Sequence, residues 1–233
     1  MTRNTKNTNR NKKIIDTTKK AKKELYTGWK KKEYCNGDVY NGDFKSDRRD
    51  GFGKMSFNLE KTNCKRYDWI TYDGAWKRGE PHGYGRMDFS DGSYCTGMWK
   101  KGYISRGRFI YADGHSYWGD FAEMYYRDLF HVTPYRNGLG IMFRKNGNQV
   151  FSGDWMADPI KFSLNSMPPT EKHGLPHGRG TYRFVNNEEF FGKWNKGVPT
   201  DKGLYYRKNG ETELKEFPKN KNIEWLDSMK DRR

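Results

Sequence analysis

The sequence predicts an all-β protein: one elongated, single-layer antiparallel sheet of about six stacked hairpins, ended by a short C-terminal helix. Three observations carry this reading. The 233-residue chain is rich in rings and glycine, with 14 Phe, 16 Tyr, 8 Trp and 26 Gly, and poor in Leu, Ile and Val. A doubly wound or helix-bundle enzyme needs a large aliphatic core that this composition does not supply, while a disordered chain is poor in aromatics. The second observation is a short pattern, aromatic-x-Gly-x-Trp/Phe, that recurs six times. The third is that the copies are separated by alternating runs ending in Asp-Gly or Asn-Gly.

The chain opens on a basic segment. Residues 1–24 hold nine positive and two negative side chains and are rich in Asn and Thr, as expected of a disordered tail. Within it Lys19, Lys20, Lys22 and Lys23 fit a nuclear import signal or an anionic-surface contact. Tyr26-Thr27-Gly28-Trp29 reads as a degenerate lead-in strand, its Trp one residue early. The array is expected over 25–214 and a cap over 215–233.

Five copies of the repeat are Tyr40-Gly42-Phe44, Tyr72-Gly74-Trp76, Tyr117-Gly119-Phe121, Phe151-Gly153-Trp155 and Phe190-Gly192-Trp194. In the sixth, Cys95 takes the first place before Gly97 and Trp99. Residues i, i+2 and i+4 of a strand share one face, so each glycine lies between two rings. Glycine inside a strand is normally costly. Here it leaves a gap that a ring of the neighbouring strand can cover. A second strand follows each first one, marked by Gly51-Gly53, Gly83-Gly85, Gly138-Gly140 and Gly178-Gly180, with Ser105 and Asp201 replacing the first glycine elsewhere. Asp91-Gly92, Asp113-Gly114, Asn146-Gly147 and Asn209-Gly210 are hairpin signals whose two residues are expected at positive φ.

The segment YDGAWKRGEPHGYGRMDFSDG, from Tyr72 to Gly92, resembles the MORN repeat almost position for position. The resemblance extends over about 40–214. It implies β-hairpins stacked into one elongated, twisted sheet, with scaffolding, membrane apposition and phosphoinositide or protein binding as the associated roles.

Three insertions interrupt the unit of about 23 residues. One lies between Asn58 and Ile70, on the edge of the Asp-Gly turns. The others, 122–137 and 156–173, fall within hairpins and project from the opposite edge, offering Tyr125, Tyr126, Phe130, Ile160, Phe162 and Leu164 as binding residues. Near the end, Ile223, Leu226 and Met229 recur at helical spacing and fit a helix covering the last strand.

No phosphate loop, nucleophile elbow or His-Glu-x-x-His appears. His82 and His177 hold one repeat position, and the three cysteines show no metal-ligand spacing. The expectation is a non-catalytic protein without cofactor or metal. Its cysteines fit free thiols in a cytoplasmic location, with peripheral membrane attachment or nuclear import as alternatives.

The net charge of +16 favours anionic partners. Basic residues recur just after the last ring of the first strand: Lys45 with Arg48 and Arg49, Lys77-Arg78, Lys100-Lys101, and Lys196. In register they form a basic edge. A protein partner is the first expectation and an anionic phospholipid surface the second, with self-association compatible with both. Nucleic-acid binding is a third and weaker expectation, because the repeat accounts for the aromatics and no nucleic-acid motif appears.

Overall fold

A computed structural model describes residues 25–59, 69–122, 134–157, 174–200 and 202–216. Everything ordered in them is strand or turn. The strands are β1 (Gly28–Glu33), β2 (Val39–Lys45), β3 (Arg48–Ser56), β4 (Trp69–Lys77), β5 (Glu80–Phe89), β6 (Tyr94–Lys100), β7 (Tyr103–Ile110) and β8 (Ser116–Phe121). They continue as β9 (Arg136–Phe143), β10 (Gln149–Met156), β11 (Leu175–Arg183), β12 (Glu189–Asn195), β13 (Val198–Pro199), β14 (Lys202–Tyr206) and β15 (Thr212–Glu216).

All pair antiparallel in one open sheet whose order follows the chain, except that β12 meets both the two-residue β13 and β14. The expected twelve strands of six hairpins are present. Three more join them: the lead-in β1, the stub β13 and the terminal β15. Trp29, out of phase in the lead-in, is exposed. The basic tail and the C-terminal helix lie outside the described residues.

The turns correct one expectation. At Asp91-Gly92 only the glycine is left-handed, at φ 86°. Phe89 N donates to Ser93 O at 2.9 Å and Gly92 N to Phe89 O at 3.1 Å, a tight turn closed by the glycine. Asp91 earns its place through its side chain, whose Oδ1 accepts from Ser93 N at 2.8 Å. Asp113, Asn146, Asn186 and Asn209 accept in the same way from the residue two positions on. The turns with two left-handed residues sit on the other edge, at Ser46-Asp47, Arg78-Gly79, Lys101-Gly102 and Lys196-Gly197.

One face carries the core. Tyr40, Phe44, Tyr72, Trp76, Trp99, Tyr117, Phe121, Phe151, Trp155, Phe190 and Trp194 are all buried there. Within a repeat the first ring meets the last edge-on, Tyr72 to Trp76 at 5.0 Å and Phe151 to Trp155 at 5.2 Å. Between repeats it meets the next Trp, Tyr40 to Trp76 at 5.3 Å, Tyr72 to Trp99 at 5.2 Å and Phe151 to Trp194 at 5.2 Å. Each Trp Nε1 donates to the second-strand glycine carbonyl of the preceding hairpin: Trp76 to Gly53 at 2.8 Å, Trp99 to Gly85 at 3.1 Å, Trp155 to Gly140 at 3.0 Å and Trp194 to Gly180 at 3.1 Å. Among the described residues these rings bury one another within a single sheet.

The glycines do more than make room for rings. They face each other across the hairpin, as Gly42–Gly53, Gly74–Gly85 and Gly97–Gly107. A Cβ on Gly74 meets the Gly85 Cα and lies 2.7 Å from Tyr84 O, so backbone rather than a ring is its first obstacle. A ring does cover the second glycine of the pair: a Cβ on Gly85 strikes the Tyr72 phenol. Where Cys95 replaces that ring, Ile104 fills the space, 3.0 Å from a Cβ on Gly107. Cys95 is buried, and burial pushes its thiol well above the ordinary range.

Two arginines share a position that sequence reasoning did not single out for the core. Residues 49, 81, 104, 136, 176 and 199 are each paired with the last aromatic of a first strand. Where that aromatic is Trp, the partner is Pro81, Pro176, Pro199 or Ile104. Where it is the smaller Phe44 or Phe121, the partner is Arg49 or Arg136. Each guanidinium stacks over the next repeat's indole, Arg49 at 4.5 Å from Trp76 and Arg136 at 4.7 Å from Trp155. Arg49 donates to Gly79 O at 2.6 Å and Arg136 to Gly174 O at 2.7 Å.

The phenols predict alkaline sensitivity. Tyr40, Tyr72 and Tyr117 donate to Asp43, Ala75 and Asp120 carbonyls at 3.1, 3.0 and 2.9 Å. Burial, with Asp43 second, raises the Tyr40 hydroxyl to about 12, and burial also drives Tyr72 and Tyr117 upward. A folded value above the unfolded one, about 10, makes this contribution full below pH ~10 and lost as pH rises through the folded value. Tyrosinate absorbance from these rings should therefore appear together with loss of the sheet's circular dichroism. Their ionisation near pH ~10 with the sheet intact would refute this.

Candidate functional site

The hairpin turns assemble a basic edge. Gly79 N donates to Arg49 O at 2.8 Å, Gly102 N to Pro81 O at 2.9 Å and Gly197 N to Pro176 O at 2.8 Å. Each turn is thereby tied to the preceding hairpin. The first turn is tied to the lead-in, through Asp47 N to Tyr26 O at 2.9 Å. Successive turns follow at two strand spacings, about 10 Å. Lys45, Arg48, Lys77, Arg78, Lys100 and Lys101 are exposed, and none is ion-paired among the described residues. Asp50 interrupts the row, its Oδ2 accepting from Arg78 N at 3.1 Å.

Two of the eight predicted cations stand apart. Arg49 is turned to the ring face and committed to Gly79 and Trp76. Lys196 occupies its own left-handed turn beyond the two inserted hairpins. Both insertions open from this same edge: Ala122 N donates to Tyr135 O at 2.9 Å at the neck of one, and Arg136 holds Gly174 at the end of the other. The predicted binding residues Tyr125, Tyr126, Phe130, Ile160, Phe162 and Leu164 lie outside the described residues.

The second face of the sheet holds what sequence reasoning missed. Phe52, Tyr84, Met98, Trp118 and Leu139 are exposed there, at 70, 65, 50, 49 and 61%. Register places them in adjacent rows: Tyr84 opposite Met98, Met98 opposite Arg106, and Trp118 opposite Arg108 and Ile141. The signal was parity. Trp118 sits between Tyr117 and Gly119, so it must face away from the repeat rings.

On this face a cleft of about 570 Å³ runs between β6 and β9, lined by Tyr94, Arg108, Ile110, Trp118, Phe143 and Lys145 among others. At its flank the Arg86 guanidinium lies 3.8 Å from the Tyr94 centroid. Burial alone would raise the Asp88 carboxyl, but hydrogen bonds from Arg86 and Thr71 hold it below the usual range. Among the described residues no group of His, Cys, Asp and Glu could hold a metal ion, and no helix is long and apolar enough to cross a membrane.

The family model for the MORN repeat matches residues 40–58, 72–94 and 172–189. These are β2–β3, the β4–β5 hairpin through to Tyr94, and β11 with the turn after it. Between residues 95 and 171 lie copies that depart from the pattern, with Cys95 in place of a ring and two hairpins split by insertions; the copy Phe190-Gly192-Trp194 keeps the pattern and is also unmatched. A search of curated proteins finds none that matches this chain.

Proposed function

We propose, on the premise that this chain is a MORN-repeat protein, that it is a non-catalytic scaffold that holds a protein partner along one edge of its sheet. MORN repeats are scaffold motifs for protein and membrane interaction. The observation that carries the reading is the shared edge: two insertions open from the same side of the sheet as the unpaired cations of the first three hairpins. Inserted loops on a stacked array supply contact surface without disturbing the stack.

The regular spacing of those cations favours a second reading, attachment to an anionic phospholipid surface, to which each Lys or Arg near the leaflet contributes about 1 kcal/mol. Reversing Lys77, Arg78, Lys100 and Lys101 to Glu should abolish sedimentation with phosphatidylserine vesicles at ~0.1 M salt. The matched reversal of Lys19, Lys20, Lys22 and Lys23 is the control. Partner capture from native cells by the same two variants separates the readings. Loss of vesicles alone assigns the edge to lipid, and loss of captured protein assigns it to the partner. Loss of both only in the tail variant sinks the edge altogether.

A further inference from the structure

We infer that the open face of β5–β9 binds single-stranded nucleic acid. The repeat buries the rings of the core face and leaves those of the opposite face exposed. Tyr84 and Trp118 point away from the repeat core and are 65 and 49% exposed. Flat rings spread across a sheet face that no second layer among the described residues covers form a stacking platform for bases, which present a π-face whatever their sequence.

The cations stand where a backbone would run. Arg108 lies opposite Trp118 in register and borders the cleft, where its hydrogen-bond partner is Ser116 Oγ at 3.4 Å. Lys145 borders the other side of the cleft and is exposed. Arg106 lies opposite Met98 in the adjacent row that leads to Tyr84, ion-paired with Asp120 at 3.5 Å and with its guanidinium 5.8 Å from the Trp118 centroid. The cleft is an open groove of about 570 Å³, with room for a base and its sugar and phosphate to lie against the sheet. Neighbouring rows continue across the strands at ~4.8 Å per step, so the platform extends beyond one nucleotide. An acidic peptide would meet the same cations, but it brings no flat ring at each step to cover the exposed ones.

The test is fluorescence anisotropy of the full chain with labelled short oligouridine and oligothymidine at ~0.15 M salt. An abasic strand of equal length, a duplex and polyglutamate serve as competitors. The expected result is binding of the single strands, with abasic strand and polyglutamate at least ~10-fold weaker; the RNA and DNA arms show which sugar is preferred. Tyr84→Ala with Trp118→Ala, which changes no charge, should raise Kd by roughly 10- to 100-fold. Arg108→Gln should lower the salt slope by about one. Equal binding of abasic strand, duplex or polyglutamate would overturn the proposal, as would ring variants that bind like the parent. Circular dichroism checks that the variants keep the sheet. Edge reversals leave these rings in place, so this proposal and the scaffold reading fail separately.

Discussion

Trp76→Ala is expected to cost about 3–5 kcal/mol, enough to unfold much of the array's N-terminal half. Trp76 is 4% exposed and stands between two repeats, edge-on to Tyr40 at 5.3 Å and to Tyr72 at 5.0 Å. Its Nε1 satisfies the Gly53 carbonyl, and its face carries the Arg49 guanidinium. Truncation therefore opens a cavity, removes a buried hydrogen bond and strips an arginine of its stacking partner. Trp118→Ala is the matched comparison. It removes the same side chain from the exposed face and should change stability by no more than ~0.5 kcal/mol. Denaturant melts of the two variants decide the matter, and similar midpoints would mean that the ring face is not the core.

The second large effect is Gly74→Ala, expected at the upper end of the roughly 1–3 kcal/mol that overpacking costs. The new Cβ would meet the Gly85 Cα and sit 2.7 Å from Tyr84 O, both backbone atoms that can yield only by separating β4 from β5. Gly102→Asn is the control. A Cβ at Gly102 meets nothing within 4 Å, and Asn tolerates its φ of 85°. A valine there would be strained by that φ and would blur the comparison. Equal melting shifts for the two variants would refute the facing-glycine account.

The repeat register was legible because ring, glycine and ring at spacing two leave one way to lay each first strand on its neighbour. Trp29 was recognisable as irregular from its single-residue offset, and it is exposed. The turn chemistry was legible in place but not in kind. Asp91-Gly92 marks a turn in sequence, yet only hydrogen bonds show that the aspartate acts by accepting from Ser93. Arg49 read as one more loop cation, because its inward turn depends on Phe44 being smaller than Trp, and Arg136 drew no notice for the same reason at Phe121. The open-face rings were legible by parity but were absorbed into the repeat count, since composition does not distinguish two faces. Tyr125 and Phe162 belong to insertions whose sequence carries no periodicity to read, and both lie outside the described residues.

The order of strands in the sheet is the order in which they are synthesised, β12 and its stub apart. Among the described strands each pairs with its neighbour in sequence, so the loop-closure entropy that slows most β proteins is small except across the three insertions. Each new hairpin lands on an edge already formed, and growth resembles a one-dimensional zipper whose stability is set by nearest neighbours. The same topology carries a hazard. While the chain is emerging, its leading edge is always an unpaired strand with free backbone donors and acceptors, open to the edge of another growing copy. Misassembly between nascent chains, rather than slow folding, is the kinetic weakness this architecture has to manage.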